Sequence, residues 1–346
     1  MVLARTKVTI SDVAKAAGVS NSAVSYALND KPGVSDATRN KVLRVAEEMG
    51  WLPNSAAKAL SDASTKSIGI VFASKPETMA VDSYTMELLG GLGTELEKNG
   101  YSLLLRFASD RNRALDAHRE WIASGSVDGV LIHDVEIGDS RIELYRKHPE
   151  IPALVLGAPS LAGGLPTMYT DDAAGARLIV DYLHELGHRH IARVAGPERL
   201  GHTFIRDRAF AEETSAMGMY YDCLHADYSP EEGGDCTIRL LTFPERPTAI
   251  VYDSDSMAIA GLRVANSRDM SVPNDLSIVS WDDSFACRAV TPPLTALWRD
   301  IPRLGNRVAS LLLKLIAGEH VENTSESPYE LEIRGSTAAP SVISNE

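Results

Sequence analysis

The chain has 346 residues, enough for two or three folding units, and 44% of them are apolar, enough for sizeable buried cores. Its formal net charge of −13 argues against nucleic acid as the partner of the protein as a whole, because phosphate binding needs positive charge. Cys223, Cys236 and Cys287 are far apart and odd in number, which argues against a disulfide framework and suits reduced thiols in a cytosolic protein.

The charge is unevenly spread. Residues 1–66 carry nine basic and six acidic side chains, a net of +3, and the remainder carries −16. A small cationic head on a large anionic body suggests that only the head meets a polyanion. The opening stretch, MVLARTKVTISDVAKAAG, lacks the apolar centre of a signal peptide. No apolar run approaches the ~18 residues of a membrane span. The expectation is a soluble, cytoplasmic protein with no membrane partner.

Three short helices fit the first sixty residues. Ser11 precedes DVAKAAG, which places Val13, Ala14 and Ala17 on one face and ends at Gly18. Ser20 is a good cap for NSAVSYALN, and Ser35 for DATRNKVLRVAEEMG, each with apolar residues at helical spacing. The link between the first two helices, A-G-V-S, has the length of a helix-turn-helix turn. Asn21 and Ser22 open the second helix and Tyr26 lies one turn further on the same face, where a recognition helix meets base edges. Ser20, Ser25, Asn29, Ser35 and Thr38 can bond phosphate oxygens and so set register. The next segment, Trp51 to Lys66, could form one or two helical turns but is too short to be stable alone.

From Ser67 onward strands and helices alternate. SIGIVFA (67–73), YSLLLRF (101–107), VDGVLIH (127–133), PALVLG (152–157), HIARVAG (190–196), TAIVYDSD (248–255) and LSIVSWDD (276–283) are apolar runs separated by amphipathic stretches. This pattern predicts parallel sheets covered by helices on both faces. About 270 residues of it is long for one core, so two α/β lobes are expected. Such lobes bind ligands at the carboxyl ends of their strands. Candidates there are Asp282 and Asp283, Asp253 to Asp255, Arg206 and Tyr84.

The head resembles the LacI/GalR family of transcription regulators. The family pattern T-hydrophobic-x-D-V-A-x-x-A-G-V-S-x-x-T/A-V-S-x-x-L-N stands here as Thr9 to Asn29. It continues as V-S-x-x-T-R at Val34 to Arg39 and as aromatic-x-P-N at Trp51 to Asn54. The resemblance implies that Asn21, Ser22 and Tyr26 read bases, with Thr9 among the DNA-contacting positions. It implies that Asn54 to Leu60 is a hinge helix that orders in the operator's minor groove, with Ala57 and Lys58 at the DNA and Leu60 wedged between base pairs. Many relatives have Arg where this chain has Tyr26, so the operator half-site cannot be copied from theirs.

The core resembles the same family more loosely, over roughly 67–338, and through it the periplasmic sugar-binding proteins. AGPERLGHTFIRDRAF matches A-G-P … R-x-x-G-F and puts Arg206 at the ligand-contacting arginine. SWDDS matches G-Y-D-D, which makes Asp282 the acid that accepts from ligand hydroxyls. YDSDSMA puts Ser254 where Asn is usual, ADYSPEEG makes Tyr228 an aromatic platform, and MYTDDAAGA places Tyr169 in the pocket.

The resulting expectation is an all-α helix-turn-helix head (1–52), a hinge helix and linker (53–66), and a two-lobed, periplasmic-binding-protein-like α/β core with parallel sheets (67–338), followed by a tail (339–346). One lobe takes about 67–160 and 291–325, the other about 161–290 and 326–338. The function expected is a homodimeric repressor that binds double-stranded operator DNA under the control of a small-molecule effector, a sugar or sugar derivative. The mixture of Arg, Asp and aromatic groups also suits a nucleobase or a phosphorylated ligand. Alternatives are a sugar-binding protein or a small-sugar enzyme carrying a helical cap. No nucleophile elbow, phosphate loop or dinucleotide fingerprint occurs, so no catalytic residue and no cofactor is expected. His188 and His190, in LGHRH, lack a third ligand and suggest no metal.

Overall fold

The computed structural model describes residues 8–51, 64–73 and 82–341. The chain divides into two compact units, Met1–Thr65 and Lys66–Glu346. The expected hinge helix falls almost wholly on residues 52–63, so Asn54, Ala57, Lys58 and Leu60 lie outside the described residues.

The first unit holds three helices, α1 (Ile10–Ala17), α2 (Asn21–Leu28) and α3 (Asp36–Glu48). Helix α1 begins earlier than expected. Its cap is Thr9, not Ser11, because Thr9 and Asp12 form a reciprocal capping box in which each side chain accepts from the other's backbone N–H. Gly18 ends the helix in the left-handed region, at φ +68. Ser20 and Ser35 cap α2 and α3 as expected. Val13, Ala17, Val24, Ala27, Val42 and Ala46 form a small common core.

The second unit is built on two six-stranded sheets. The first contains β1 (Ser67–Phe72), β2 (Ser102–Phe107), β3 (Gly129–Ile132), β4 (Ala153–Leu156), β5 (Thr167–Tyr169) and β11 (Thr324–Ser325). Its order is β11-β5-β4-β3-β1-β2 and every pairing is parallel. The second contains β6 (His190–Ala195), β7 (Tyr220–His225), β8 (Ala249–Tyr252), β9 (Ser277–Ser280), β10 (Thr295–Trp298) and β12 (Glu330–Glu332). Its order is β12-β10-β9-β8-β6-β7, parallel except for the antiparallel β10–β12 pair. Apolar side chains pack on both faces of each sheet, which is why the central strands read as continuous apolar runs.

The helices are α4 (Ser83–Lys98), α5 (Arg111–Ser124), α6 (Ser140–Lys147), α7 (Asp172–Glu185), α8 (Gly201–Ala216), α9 (Pro230–Leu241), α10 (Asp255–Ser267), α11 (Phe285–Ala289) and α12 (Ile301–Ile316). None among the described residues is long and apolar enough to cross a membrane. The chain passes between lobes three times, at 170–171, 299–300 and 326–329. The first two crossings bound the lobes differently from the expectation. Strand β5, at 167–169, still pairs with β4 in the first sheet, and β10, at 295–298, still pairs with β9 in the second. Both strands are only three or four residues long, so neither interrupts the sequence as a distinct apolar run.

Helices α4 and α12 cover one face of the first sheet and approach closely through two glycines. A Cβ on Gly91 would sit 2.1 Å from the Pro302 carbonyl oxygen, and one on Gly305 would sit 2.4 Å from that of Leu88. Gly93, on the same helix, has nothing within 4 Å. Urea denaturation should therefore show Gly305→Ala destabilised by about 1–3 kcal/mol. Gly93→Ala should be stabilised by roughly 0.5–1 kcal/mol. Equal effects would mean that the close approach does not govern this packing.

Candidate functional site

Two regions gather the predicted polar residues. In the first unit, Val24 and Ala27 anchor α2 inward and leave Asn21, Ser22, Tyr26 and Asn29 exposed. Tyr26 is 42% exposed, yet its ring edge packs on Gly33, which is left-handed at φ +120. The ring is thus held in place on an exposed face. Asn29 Nδ2 donates to the Ser25 carbonyl at 2.9 Å. Thr9, Ser20 and Ser35 spend their hydroxyls on helix caps, and Thr38 Oγ1 lies 3.0 Å from Ser35 Oγ. They therefore fix the helix N-termini, whose free N–H groups and dipoles favour phosphate.

In the second unit a cavity of about 170 Å³ lies between the lobes, at the carboxyl ends of the strands. Each sheet reverses its winding there, β1 to β3 in one and β6 to β8 in the other. Such switch points leave a crevice for a ligand. Six residues expected from sequence, Tyr84, Tyr169, Arg206, Tyr228, Ser254 and Asp282, line this one cavity, together with the strand-end candidates Asp253 and Asp255. Asp283, the neighbouring candidate, does not. It is held instead by Arg334 at 2.7 Å and Arg288 at 3.1 Å.

Arg206, on α8, is buried. Its Nη2 reaches Asp172 at 2.8 Å, its Nη1 lies 3.6 Å from Asp253, and its guanidinium stacks 3.8 Å over the Trp281 ring. Asp253 follows β8 and receives two hydrogen bonds from Arg193, at 2.7 and 2.6 Å, and one from the Gly196 N–H at 3.1 Å. Burial alone would push Asp253 upward, but Arg193 and Arg206 outweigh it and hold the carboxyl down at about 2. Tyr228 adopts φ +69, and a Cβ on Gly196 would stand 2.1 Å from its hydroxyl. That hydroxyl meets His202 Nε2 at 2.8 Å. Ser254 caps α10, accepting from the Met257 N–H at 3.3 Å.

Asp282 behaves differently. Its carboxylate receives no hydrogen bond among the described residues, and its one ion pair, to Arg299, is 3.7 Å long. Burial pushes its pKa up to about 7, against the partial pull of Arg299 and Arg206. Burial likewise raises Tyr84 to about 12.

Sequence reasoning missed Asp82, His133, Asp134, Asp172, His202 and Arg299, which also line the cavity. His133 and Asp134 stand directly after β3, so the rule that found Asp282 would have found them. Burial alone would push Asp134 upward, but His133 outweighs it and draws it below the usual carboxylate range. Arg299 follows β10, a strand not recognised in the sequence. The lobes also meet beside the cavity. Ser83 Oγ donates to Asp255 at 2.8 Å, Gly201 N–H donates to the Val135 carbonyl at 2.8 Å, and Arg199 Nε bonds Glu136 at 3.0 Å.

Comparisons with known proteins agree with both regions. Residues 9–54 match the family of bacterial regulatory proteins, lacI family, and residues 180–337 match a periplasmic binding protein-like domain. The chain is 31% identical to the HTH-type transcriptional repressor CytR of Escherichia coli strain K12, covering 96% of this chain and 97% of that one. A LacI family transcriptional regulator from Bifidobacterium animalis subsp. lactis is 49% identical, covering 80% of this chain and 100% of that structure, with a TM-score of 0.75. The lac repressor dimer bound to operator and the anti-inducer ONPF superposes with a TM-score of 0.86 at 26% identity, over 96% of this chain and 100% of that one.

The Asp282 environment predicts a pH effect. The folded protein holds this proton up to about pH 7, whereas an ordinary Asp releases it near 3.8. Between those values the folded state binds more protons than the unfolded one. The group's contribution to stability therefore falls as pH rises through that window. Asp282→Asn should raise the melting temperature at pH 8 and leave it little changed at pH 4. An increase that is equal at both pH values would show that the carboxyl is not held protonated by its surroundings.

Proposed function

Because this chain belongs to the lacI family of bacterial regulatory proteins, and so is a DNA-binding transcriptional repressor governed by a small-molecule effector rather than an enzyme, we propose that α2 reads its operator and that the interlobe cavity holds a neutral, hydroxyl-rich effector. Asn21, Ser22 and Tyr26 contact base edges in the major groove. Thr9, Ser20, Ser25, Asn29, Ser35 and Thr38 position the head on the phosphates. Asn54, Ala57, Lys58 and Leu60 bind the minor groove, where Leu60 unstacks a base step and the bent duplex offsets that cost. The lac repressor it resembles is a dimer on its operator. A homodimer here would place two heads on the half-sites of a pseudo-palindrome. Its target is chromosomal DNA, so its place of action is the cytoplasm.

The observation that carries the effector reading is the charge of the cavity wall. Six acidic side chains line it, Asp82, Asp134, Asp172, Asp253, Asp255 and Asp282, and even with Asp282 held protonated up to about pH 7 they outnumber the two guanidiniums, on Arg206 and Arg299. Both guanidiniums already have carboxylate neighbours. An anionic ligand would meet net repulsion, which weighs against a phosphorylated effector. A sugar offers many hydroxyl donors to these carboxylates, and charged partners make the stronger hydrogen bonds. The Tyr84, Tyr169 and Tyr228 rings supply apolar surface for the sugar's C–H face.

Titration calorimetry of the full-length protein with neutral monosaccharides and disaccharides, nucleosides and their phosphorylated forms tests this. Neutral sugars should bind and their phosphate esters should bind at least about tenfold more weakly, a difference of ~1.4 kcal/mol. Preference for the phosphorylated forms would overturn the assignment. At the head, Asn21→Ala should cost about 1–3 kcal/mol at the base pair it reads, and so relax preference at that position alone. Selection from a random duplex library measures this directly. A uniform loss across all sequences would instead make Asn21 a phosphate contact.

A further inference from the structure

Three chain crossings join the lobes, and one side chain touches all three. Arg299 is itself part of the second crossing. Its Nη1 donates to Thr170 Oγ1, in the first, at 3.3 Å. Its guanidinium lies 5.1 Å over the ring of Tyr329, in the third. The same group stacks 4.9 Å over Tyr84, on α4 of the first lobe, and lies 3.7 Å from Asp282, in the second. Tyr329 is in turn anchored in the second lobe, donating to Asp172 at 3.1 Å and accepting from the Trp281 indole at 3.3 Å.

Arg299 is also incompletely satisfied. The two other buried arginines of this region, Arg193 and Arg206, each have a carboxylate oxygen within 2.9 Å. Among the described residues Arg299 has none closer than 3.7 Å, and its buried Nε has no hydrogen-bond partner there. Leaving a buried charged donor unmet is costly, so an unmet donor in a cavity wall is a place where an acceptor is missing. Across from it, the partly buried Asp282 carboxyl accepts no hydrogen bond among the described residues. A 3.7 Å separation is too long for a hydrogen bond and too short to leave the two groups independent. One hydroxyl group completes both, because its oxygen accepts from the guanidinium while its hydrogen goes to the carboxylate.

We propose that Arg299 is the positioning residue that couples effector occupancy to the hinge: it ties the three crossings together, and the bound effector completes its hydrogen bonding and stiffens that tie. This rests on the cavity being the effector site. Arginine suits the task because its planar fork can hold Thr170, stack on two tyrosines and still offer a donor. Lysine keeps the charge but has neither the flat face nor the fork. Ligand contacts made only within one lobe cannot bias the relative disposition of two lobes, whereas a contact through Arg299 acts on every segment that joins them.

Hydrogen exchange on the full-length protein tests the two halves of the proposal separately. In the absence of any ligand, Arg299→Gln should speed amide exchange about tenfold in peptides covering 164–173 and 324–332, and leave α9 and the head unchanged. Exchange like that of wild type in those peptides would overturn the proposal, whatever binds in the cavity. Glucose, galactose, ribose, maltose and cellobiose then serve as probes. A sugar that binds wild type should slow exchange at all three crossings. In Arg299→Lys that sugar should bind about tenfold or more weakly, and at a concentration that saturates the variant it should slow exchange only at the cavity wall and not at the crossings. A lysine variant that transmits the full protection would also overturn it. If no sugar binds wild type, the sugar reading fails, and the ligand-free comparison still decides whether Arg299 ties the crossings.

Discussion

The second unit depends on one buried carboxylate. Asp253 is fully buried and gathers Arg193 from β6, the backbone N–H of Gly196 after β6, and Arg206 from α8. Arg206 carries the connection to Asp172 at the start of α7 and to the Trp281 ring after β9. Four elements of the second lobe thus converge on one charge, at the point where its sheet reverses winding. A buried ion network of this kind adds little net stability against a well-packed apolar core, but removing one member leaves an uncompensated buried charge. What it contributes here is geometry. The floor of the cavity cannot shift without disturbing the network. It also means that Arg206 belongs both to the fold's buried network and to the cavity wall. Its removal would take the one guanidinium from Asp172 and leave Asp253 to Arg193 and Gly196.

Asp282 stands beside this network and is excluded from it. Asp253, with two guanidiniums, is held ionised at about 2, while Asp282, with one distant guanidinium, is pushed up to about 7. Two carboxyls lining one cavity therefore have opposite tasks. One is a fixed structural charge whose hydrogen bonds are already used. The other keeps its hydrogen-bonding capacity free and has most to gain from a ligand's hydroxyl. The same distinction separates Arg206 from Arg299. Saturated ion pairs build the cavity, and unsaturated ones give it something to bind.

The head and the alternating α/β plan were legible because both rest on local signals. Caps, periodicity and the glycine stop fixed the three helices, and apolar runs marked the seven strands named from sequence. The shorter strands were not legible. Strand β7, YYDCLH, is an edge strand carrying Asp, Cys and His, so it has no continuous apolar run. Helix α9 contains the pair Gly233 and Gly234, which lowers its propensity. Gly233 is there because a Cβ would stand 2.7 Å from Met257, a tertiary constraint with no local signature. Its start was nonetheless signalled by Ser229 and Pro230, a cap followed by a proline in the first turn. The cavity residues divide in the same way. The six recognised ones follow visible strands or matched motifs. Arg299 follows a strand that went unseen, and its significance lies in its contacts with Thr170, Tyr329 and Tyr84, all distant in sequence.

The coupling between effector and operator need amount to only ~1–3 kcal/mol, the value of one or two hydrogen bonds. The interlobe contacts beside the cavity are of that size. The backbone bond between Gly201 and Val135, the Ser83–Asp255 bond and the Arg199–Glu136 pair each join one lobe to the other. None belongs to a continuous sheet or to a large apolar interface, so none is protected by cooperativity with a core. Within each lobe, by contrast, the sheets are sealed on both faces. A ligand that adds or removes a few polar contacts in the cleft is therefore negligible beside the stability of either lobe but comparable to everything the cleft itself contributes. That disparity lets a small effector change how the lobes are disposed while leaving their folds intact.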